Sequence, residues 1–179
     1  MSMKTKESMK TMTRNLWCFS HCEFDMECER RGWNDENLPP NIAFISIIGS
    51  KECQEYYLGE EETHYFSQSH PTVLNLAFDD LSCDSREWKG HVFYGLREEQ
   101  AEEIVKFIKA NLGKDFWIHC RAGQSRSQGI VRYILDCYPD IVWKTRLDNP
   151  CETPNIDVVA KLKRIYWRDV LLESSDSKV

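Results

Sequence analysis

No stretch of this chain is apolar for long enough to cross a membrane. The longest hydrophobic run, Ile42-Ala43-Phe44-Ile45-Ser46-Ile47-Ile48, has only the length of a strand. A basic excess is also missing. With 23 Lys and Arg against 29 Asp and Glu, the formal net charge is −6, which argues against an electrostatic nucleic-acid binder. There is no internal repeat and no low-complexity linker, so 179 residues with 41% hydrophobic and 12% aromatic content are expected to form one domain around one core. The five histidines include no His-x-x-x-His pair. Cys18, His21, Cys22 and Cys28 are metal-ligand types without the paired Cys-x-x-Cys hooks of common zinc modules, and among Trp17, Phe19 and Phe24 they read as core packing. Eight cysteines at irregular spacing do not make a disulfide framework, and a reducing, cytoplasmic setting is expected. Met1 to Arg14 is rich in Lys, Thr and Met without an apolar stretch, which is not the pattern of a signal peptide. Residues 1–14 and 173–179 are expected to be mobile tails around a domain spanning 15–172.

What the chain does have is His119-Cys120-Arg121-Ala122-Gly123-Gln124-Ser125-Arg126-Ser127. A cysteine and an arginine six positions apart, with a glycine between, can bend into a cradle for one phosphate. Consecutive backbone N–H groups of Arg121, Ala122, Gly123, Gln124 and Ser125 would turn inward as an anion nest. Gly123 has no Cβ and supplies a backbone angle that other residues resist. Arg126 offers a planar fork to two phosphate oxygens and keeps its charge. It stands where a helix would begin, so the positive end of that helix faces the same anion and favours Cys120 as a thiolate. Asp115-Phe116-Trp117-Ile118 before the loop reads as a buried strand. After it, Ile130, Val131, Ile134 and Leu135 recur at helical spacing up to Cys137-Tyr138-Pro139.

His-Cys-x-x-Gly-x-x-Arg-Ser resembles the signature of the cysteine-dependent protein tyrosine phosphatases, nearest their compact dual-specificity-like branch. The resemblance runs more loosely from about Asn41 to Trp167. It implies that Cys120 attacks phosphorus, that Arg126 holds the phosphoryl oxygens and that Ser127 helps the thiolate leave. It also implies that His119 orients the loop from beneath. Such chemistry calls for no metal and no cofactor.

A departing ester oxygen must be protonated, so a carboxylic acid is expected near the loop. Asp79, Asp80, Asp84 and Glu87 lie upstream. Phe78-Asp79-Asp80 resembles the phosphatases of regenerating liver, which implies Asp80 as the acid and Asp79 as its solvent-facing neighbour. The stretch from Asp80 to Cys120 is longer than in compact members of the family, with the surplus expected in Ser82 to Gly95. Asp84 therefore stays open as an alternative acid. Either Gln124 or Gln128 would position the hydrolytic water. Arg121 lies in the loop itself and makes the mouth of the site locally basic; Lys144 and Arg146 either add to that mouth or, the preferred reading, belong to a solvated loop.

Elsewhere, Asn41 to Ile48 reads as a central strand and Thr72 to Phe78 as another. Gly49 to His70 reads as a helix fragment with loops. Arg97 to Leu112 reads as an amphipathic helix stopped by Gly113, and a last helix is capped by Asn155. The expected fold is α/β, a single layered domain with a central mixed or parallel sheet flanked by helices, of protein tyrosine phosphatase type. The expected function is hydrolysis of phosphate monoesters through a phosphocysteine, first on phosphotyrosine and also on phosphoserine or phosphothreonine of a protein partner. The alternatives are a phosphate-binding pseudo-phosphatase that docks a phosphoprotein, or a related enzyme for phosphoinositides or RNA 5′-phosphates.

Overall fold

In the computed structural model, residues 12–59, 61–68, 70–150 and 153–176 are described. Among these residues, seven strands and five helices follow in chain order: β1 (Thr13–Ser20), α1 (His21–Arg30), β2 (Ile42–Ile48), α2 (Lys51–Cys53), β3 (Val73–Ala77), β4 (Ser85–Trp88), β5 (His91–Tyr94), α3 (Glu98–Ala110), β6 (Asp115–Cys120), α4 (Arg126–Cys137), β7 (Val142–Leu147) and α5 (Ile156–Asp176). A π-helical stretch, Gln54–Leu58, continues α2. No helix among the described residues is long and apolar enough to cross a membrane.

β2 shows why the sheet has two covered faces. All seven of its residues are buried, as expected for a parallel strand with layers on both sides. Five strands pair in the order β3-β2-β6-β1-β7, every pair parallel. The period of two then divides the side chains. Leu16, Cys18, Phe116, Ile118 and Cys120 enter one core with residues of α3, α4 and α5. Phe19, Phe44 and Trp117 enter the other, with Phe24 and Cys28 of α1 and Phe66. There Trp117 stacks on Trp17 at 5.4 Å, and the Arg31 guanidinium lies 5.0 Å from the Trp33 and Trp117 rings. Truncating a buried aromatic of this kind costs about 3–5 kcal/mol.

The order of the strands matters for function. β1 and β2 follow each other in the chain but lie on opposite sides of β6. Such a reversal opens a crevice beyond the carboxyl ends of parallel strands, and Cys120 is the last residue of β6.

Several expectations need correction. Thr13 and Arg14 belong to β1, because their backbone pairs with Val142 and Trp143 of β7; residues 1–11 lie outside the described part. At the other end α5 runs through Glu173 to Asp176, with Glu173 ion-paired to Lys109; residues 177–179 lie outside the described part. Lys144 and Arg146 sit in β7, an edge strand, not in a loop. The Arg146 guanidinium reaches over Trp17 at 5.4 Å and pairs with Asp148 at 2.8 Å. The surplus after Asp80 does lie within Ser82 to Gly95, where it forms a separate antiparallel hairpin, β4–β5. Lys89 and Gly90 close it with positive φ of 49° and 81°, the backbone that a two-residue hairpin turn demands.

Candidate active site

Cys120 leaves the sheet into a loop, residues 121–125, that rises to the N-terminus of α4. Gly123 is the only residue type that fits its place. Its φ is +67°, and a Cβ there would stand 2.5 Å from the Phe19 carbonyl carbon and 2.6 Å from Ser20 N. The loop is thus pressed against the end of β1. His21 N–H donates to Arg121 O at 3.1 Å. Asn149 Nδ2 donates to Ala122 O at 2.8 Å. Gln128 Nε2 donates to Gly123 O at 2.6 Å and to Asn149 O at 2.6 Å. Gln128 is therefore spent on bracing the loop, whereas Gln124 is exposed. The carbonyls of Arg121, Ala122 and Gly123 are thus tied back by His21, Asn149 and Gln128. Ser125 precedes α4 without a side-chain cap hydrogen bond, so the first donors of the helix are also open to an anion.

Beneath the loop, two thiols share one hydroxyl. Ser127 Oγ lies 3.1 Å from Cys120 Sγ and 3.2 Å from Cys18 Sγ. Cys18 also lies 3.4 Å from Gly123 O. Burial pushes the Cys18 thiol up to about 12, so it keeps its proton and is the donor. Ser127 can then accept from Cys18 and give its own proton to Cys120.

Arg126 is buried, and its Nη1 donates to Phe78 O at 2.7 Å and to Ile48 O at 3.1 Å. The ends of β3 and β2 therefore fix the plane of the guanidinium. Its Nε–H is buried without a hydrogen-bond partner among the described residues, a donor with capacity to spare.

The aspartates sort by their partners. Asp79 was expected to face solvent, but it is buried and fully engaged. Ser50 N and Oγ donate to it at 2.8 and 2.7 Å, and Tyr94 N at 2.9 Å. It fastens the hairpin to the ends of β2 and β3. Asp80 is exposed and touches the loop: Ser125 Oγ and Asn155 Nδ2 each donate to its Oδ1 at 2.7 Å. Asp84 points away to Lys161, 2.6 Å distant, whose hydrogen bond holds its carboxyl below the usual range. Glu87 is exposed on β4. Of the four, Asp80 alone contacts the loop. Beside it opens a cleft of about 430 Å³ lined by Cys53, Tyr57, Arg86, Trp88 and Phe93.

Histidines gather on the other side. His119 is wholly buried, its ring 5.0 Å from His21 and 4.2 Å from Phe24. Its Nε2 lies 2.7 Å from Ser46 Oγ, which lies 2.7 Å from His64 Nδ1. Burial holds His119 far below an ordinary imidazole and His64 at about 4. A hydrogen bond to Asp25 raises His21 against the opposing effect of its burial. Arg121 is exposed and reaches Glu62 at 3.5 Å.

The N-terminal metal-ligand types diverge. Cys18 lies under the loop, Cys28 among the aromatics, and Cys22 is exposed near Met26. No group of three or more such side chains gathers among the described residues, and Cys18, Cys22, Cys28, Cys53, Cys83, Cys120 and Cys137 are free thiols. Sequence reasoning missed Ser46, His64, Cys18 and the grip of Asn155 on Asp80. One signal was present: Ser46 is the single polar residue of an otherwise apolar strand. Comparison with family models, with curated proteins and with solved structures finds no match.

Proposed function

We propose that this protein is a cysteine-dependent phosphatase that hydrolyses phosphate monoesters through a phosphocysteine intermediate. The observation that carries the reading is the state of Arg126. Nη1 is tied back to two strand-end carbonyls, while the buried Nε–H has no hydrogen-bond partner among the described residues. An anion held by the loop from Cys120 to Arg126 would satisfy that donor along with the uncapped start of α4.

The residues divide the work as follows. Cys120 thiolate attacks phosphorus, the S–P bond forms and the P–O bond to the leaving group breaks. Asp80 gives that oxygen its proton. Water then attacks the phosphocysteine, Asp80 takes a proton from it, and inorganic phosphate leaves as the thiolate re-forms. Arg126 and the inward N–H groups of residues 121–125 stabilise the charge on the equatorial oxygens in both steps. The Ser127 hydroxyl, oriented by Cys18, stabilises the departing thiolate. Phosphotyrosine is the first substrate, with phosphoserine and phosphothreonine next, and a reducing compartment such as the cytoplasm keeps Cys120 reactive.

The test is turnover on p-nitrophenyl phosphate, followed by phosphotyrosyl and phosphoseryl peptides, phosphoinositides and 5′-phosphorylated RNA, each with wild type and Cys120→Ser. Release of phosphate by wild type alone supports the proposal. Failure on every ester would overturn it. Tight binding of a phosphopeptide without turnover would mark a docking module instead.

A further inference from the structure

The β4–β5 hairpin turns one of its faces towards Asp80. Arg86 is in register with Phe93 and Trp88 with His91, so these four side chains share a face. Opposite them stands the π-helical stretch, with Tyr56 4.9 Å from His91 and Tyr57 5.6 Å from Phe93. The base of the hairpin is fixed. Asp79 N–H donates to Tyr94 O at 2.6 Å, and Tyr94 N–H donates back to the Asp79 carboxylate at 2.9 Å. Between the two walls lies the cleft of about 430 Å³, a size that takes a small ligand. Tyr57 and Trp88 line it while 63% and 47% exposed. No ring among the described residues packs on Trp88; the Arg86 and Lys89 cations lie 6.0 and 5.9 Å from it. Neither cation has a carboxylate partner among the described residues.

Asp80 decides which part of a substrate enters this cleft. Ser125 and Asn155 hold its Oδ1, and Oδ2 keeps its capacity for the leaving oxygen. Asp80 also lines the cleft, so the group attached to that oxygen extends into it. A tyrosyl ring is long and flat enough to reach the two aromatic walls, whereas a seryl side chain is too short. Beyond the ring, Arg86 presents a planar fork that suits a carboxylate. A continuous phosphate backbone fits less well. On the other flank of the same helical segment, Glu55 lines a cavity of about 610 Å³ with Glu61 and Glu62, and these charges repel a polyanion.

We infer that the β4–β5 hairpin is the substrate-recognition element of the site: Tyr57 and Trp88 take the ring of a phosphotyrosyl side chain, and Arg86 takes the carboxylate of an Asp or Glu beside it in the peptide. The inference rests on the phosphatase reading and narrows its substrates to acidic phosphotyrosyl segments.

The test compares kcat/KM on three phosphotyrosyl peptides that differ only in their flanking residues, Glu, Ala or Lys. Wild type is expected to favour Glu over Ala flanks by about fivefold. Arg86→Gln should bring that ratio to about one, and Arg86→Glu should turn the preference towards Lys flanks, which a merely structural role would not do. Trp88→Ala should lower the preference for the phosphotyrosyl over the matched phosphoseryl peptide by about fivefold, through KM more than kcat. A wild-type ratio near one, or a Glu preference that survives Arg86→Glu, would overturn the role of Arg86. Equal losses on both peptides in Trp88→Ala would overturn the aromatic walls. Faster turnover of a 5′-phosphorylated oligonucleotide than of any peptide would overturn the choice of a peptide. If no ester is turned over, calorimetric binding of the same peptides to the full chain reads the same ratios. A failed reaction with the ratios intact therefore differs from a working reaction without them.

Discussion

The floor of the site and its rim are built on opposite plans. The floor consists of two buried hydrogen-bonded groups that meet along β6, Cys120 with Ser127 and Cys18, and His119 with Ser46. The rim consists of Asp80, Arg121 and Gln124, with Tyr57 and Trp88 beyond, all exposed. Buried polar networks tolerate little change, because every unpaired member costs about 1–3 kcal/mol. Exposed side chains away from such networks tolerate much more. The difference teaches where each kind of property would reside under the proposed function: the capacity to hold and attack an anion in the floor, and the choice of what carries the anion in the rim.

The largest blow to the floor is Cys120→Ser. Turnover should be abolished, because a serine hydroxyl is not ionised near neutral pH, while vanadate binding by calorimetry should survive. A mutant retaining wild-type rates on an aryl phosphate would remove the covalent route. Next comes Arg126→Lys, which keeps the charge but loses the planar two-point grip. It should lower kcat/KM by about 100-fold or more. Near-normal kinetics would mean that Arg126 does not hold the phosphoryl group.

Asp80→Asn tests the boundary between floor and rim. The rate should fall by about two orders of magnitude on poor leaving groups and less on activated aryl phosphates. Equal losses on both would move the acid elsewhere. A paired test then sets Gly123→Ala against Gln124→Ala. The first forces a Cβ into the backbone of Phe19 and Ser20 at positive φ and should destabilise by about 1–3 kcal/mol in urea unfolding. The second should stay within about 0.5 kcal/mol. Similar values would erase the contrast between the two regions.

The smallest effect is electrostatic. Asp25 raises His21 above its ordinary value, so its charged form is favoured when folded. Stability from the pair is therefore fully present below the unfolded-state value and is lost as pH rises through the raised one. Phosphate binding should weaken over the same window, and His21→Gln should flatten that slope in a calorimetric titration. An unchanged slope would separate His21 from the anion.

Local signals were legible in the sequence and distant ones were not. The strand, loop and helix around Cys120 agree with expectation to within about two residues, because Asp115 to Cys137 carries its own periodicity and its own glycine. β1 was hidden. Its residues alternate between two cores, Leu16 and Cys18 against Trp17 and Phe19, yet its partner strands start about a hundred residues later, as in Asn15 with Asp115. Asp79 and Asp80 also could not be told apart locally. Which of two neighbours turns inward was decided by Ser50 and Tyr94, neither of them adjacent in sequence. The hairpin shows in the sequence only as surplus length, although Lys89-Gly90 is a turn signal between two short runs.

The long reach of β1 has a consequence for how the chain comes to be folded. Ser20 is in register with Cys120, and Thr13 with Val142 of β7. During synthesis from the N-terminus, Trp17 and Phe19 therefore emerge long before the strands that cover them. Parallel pairing at such separation closes large loops first and is slow, and waiting aromatic surface is prone to aggregate. The loop of residues 121–125 cannot be seated until Gly123 meets the end of β1, so the seating of the loop and the closing of the sheet are one late event in the life of the nascent chain.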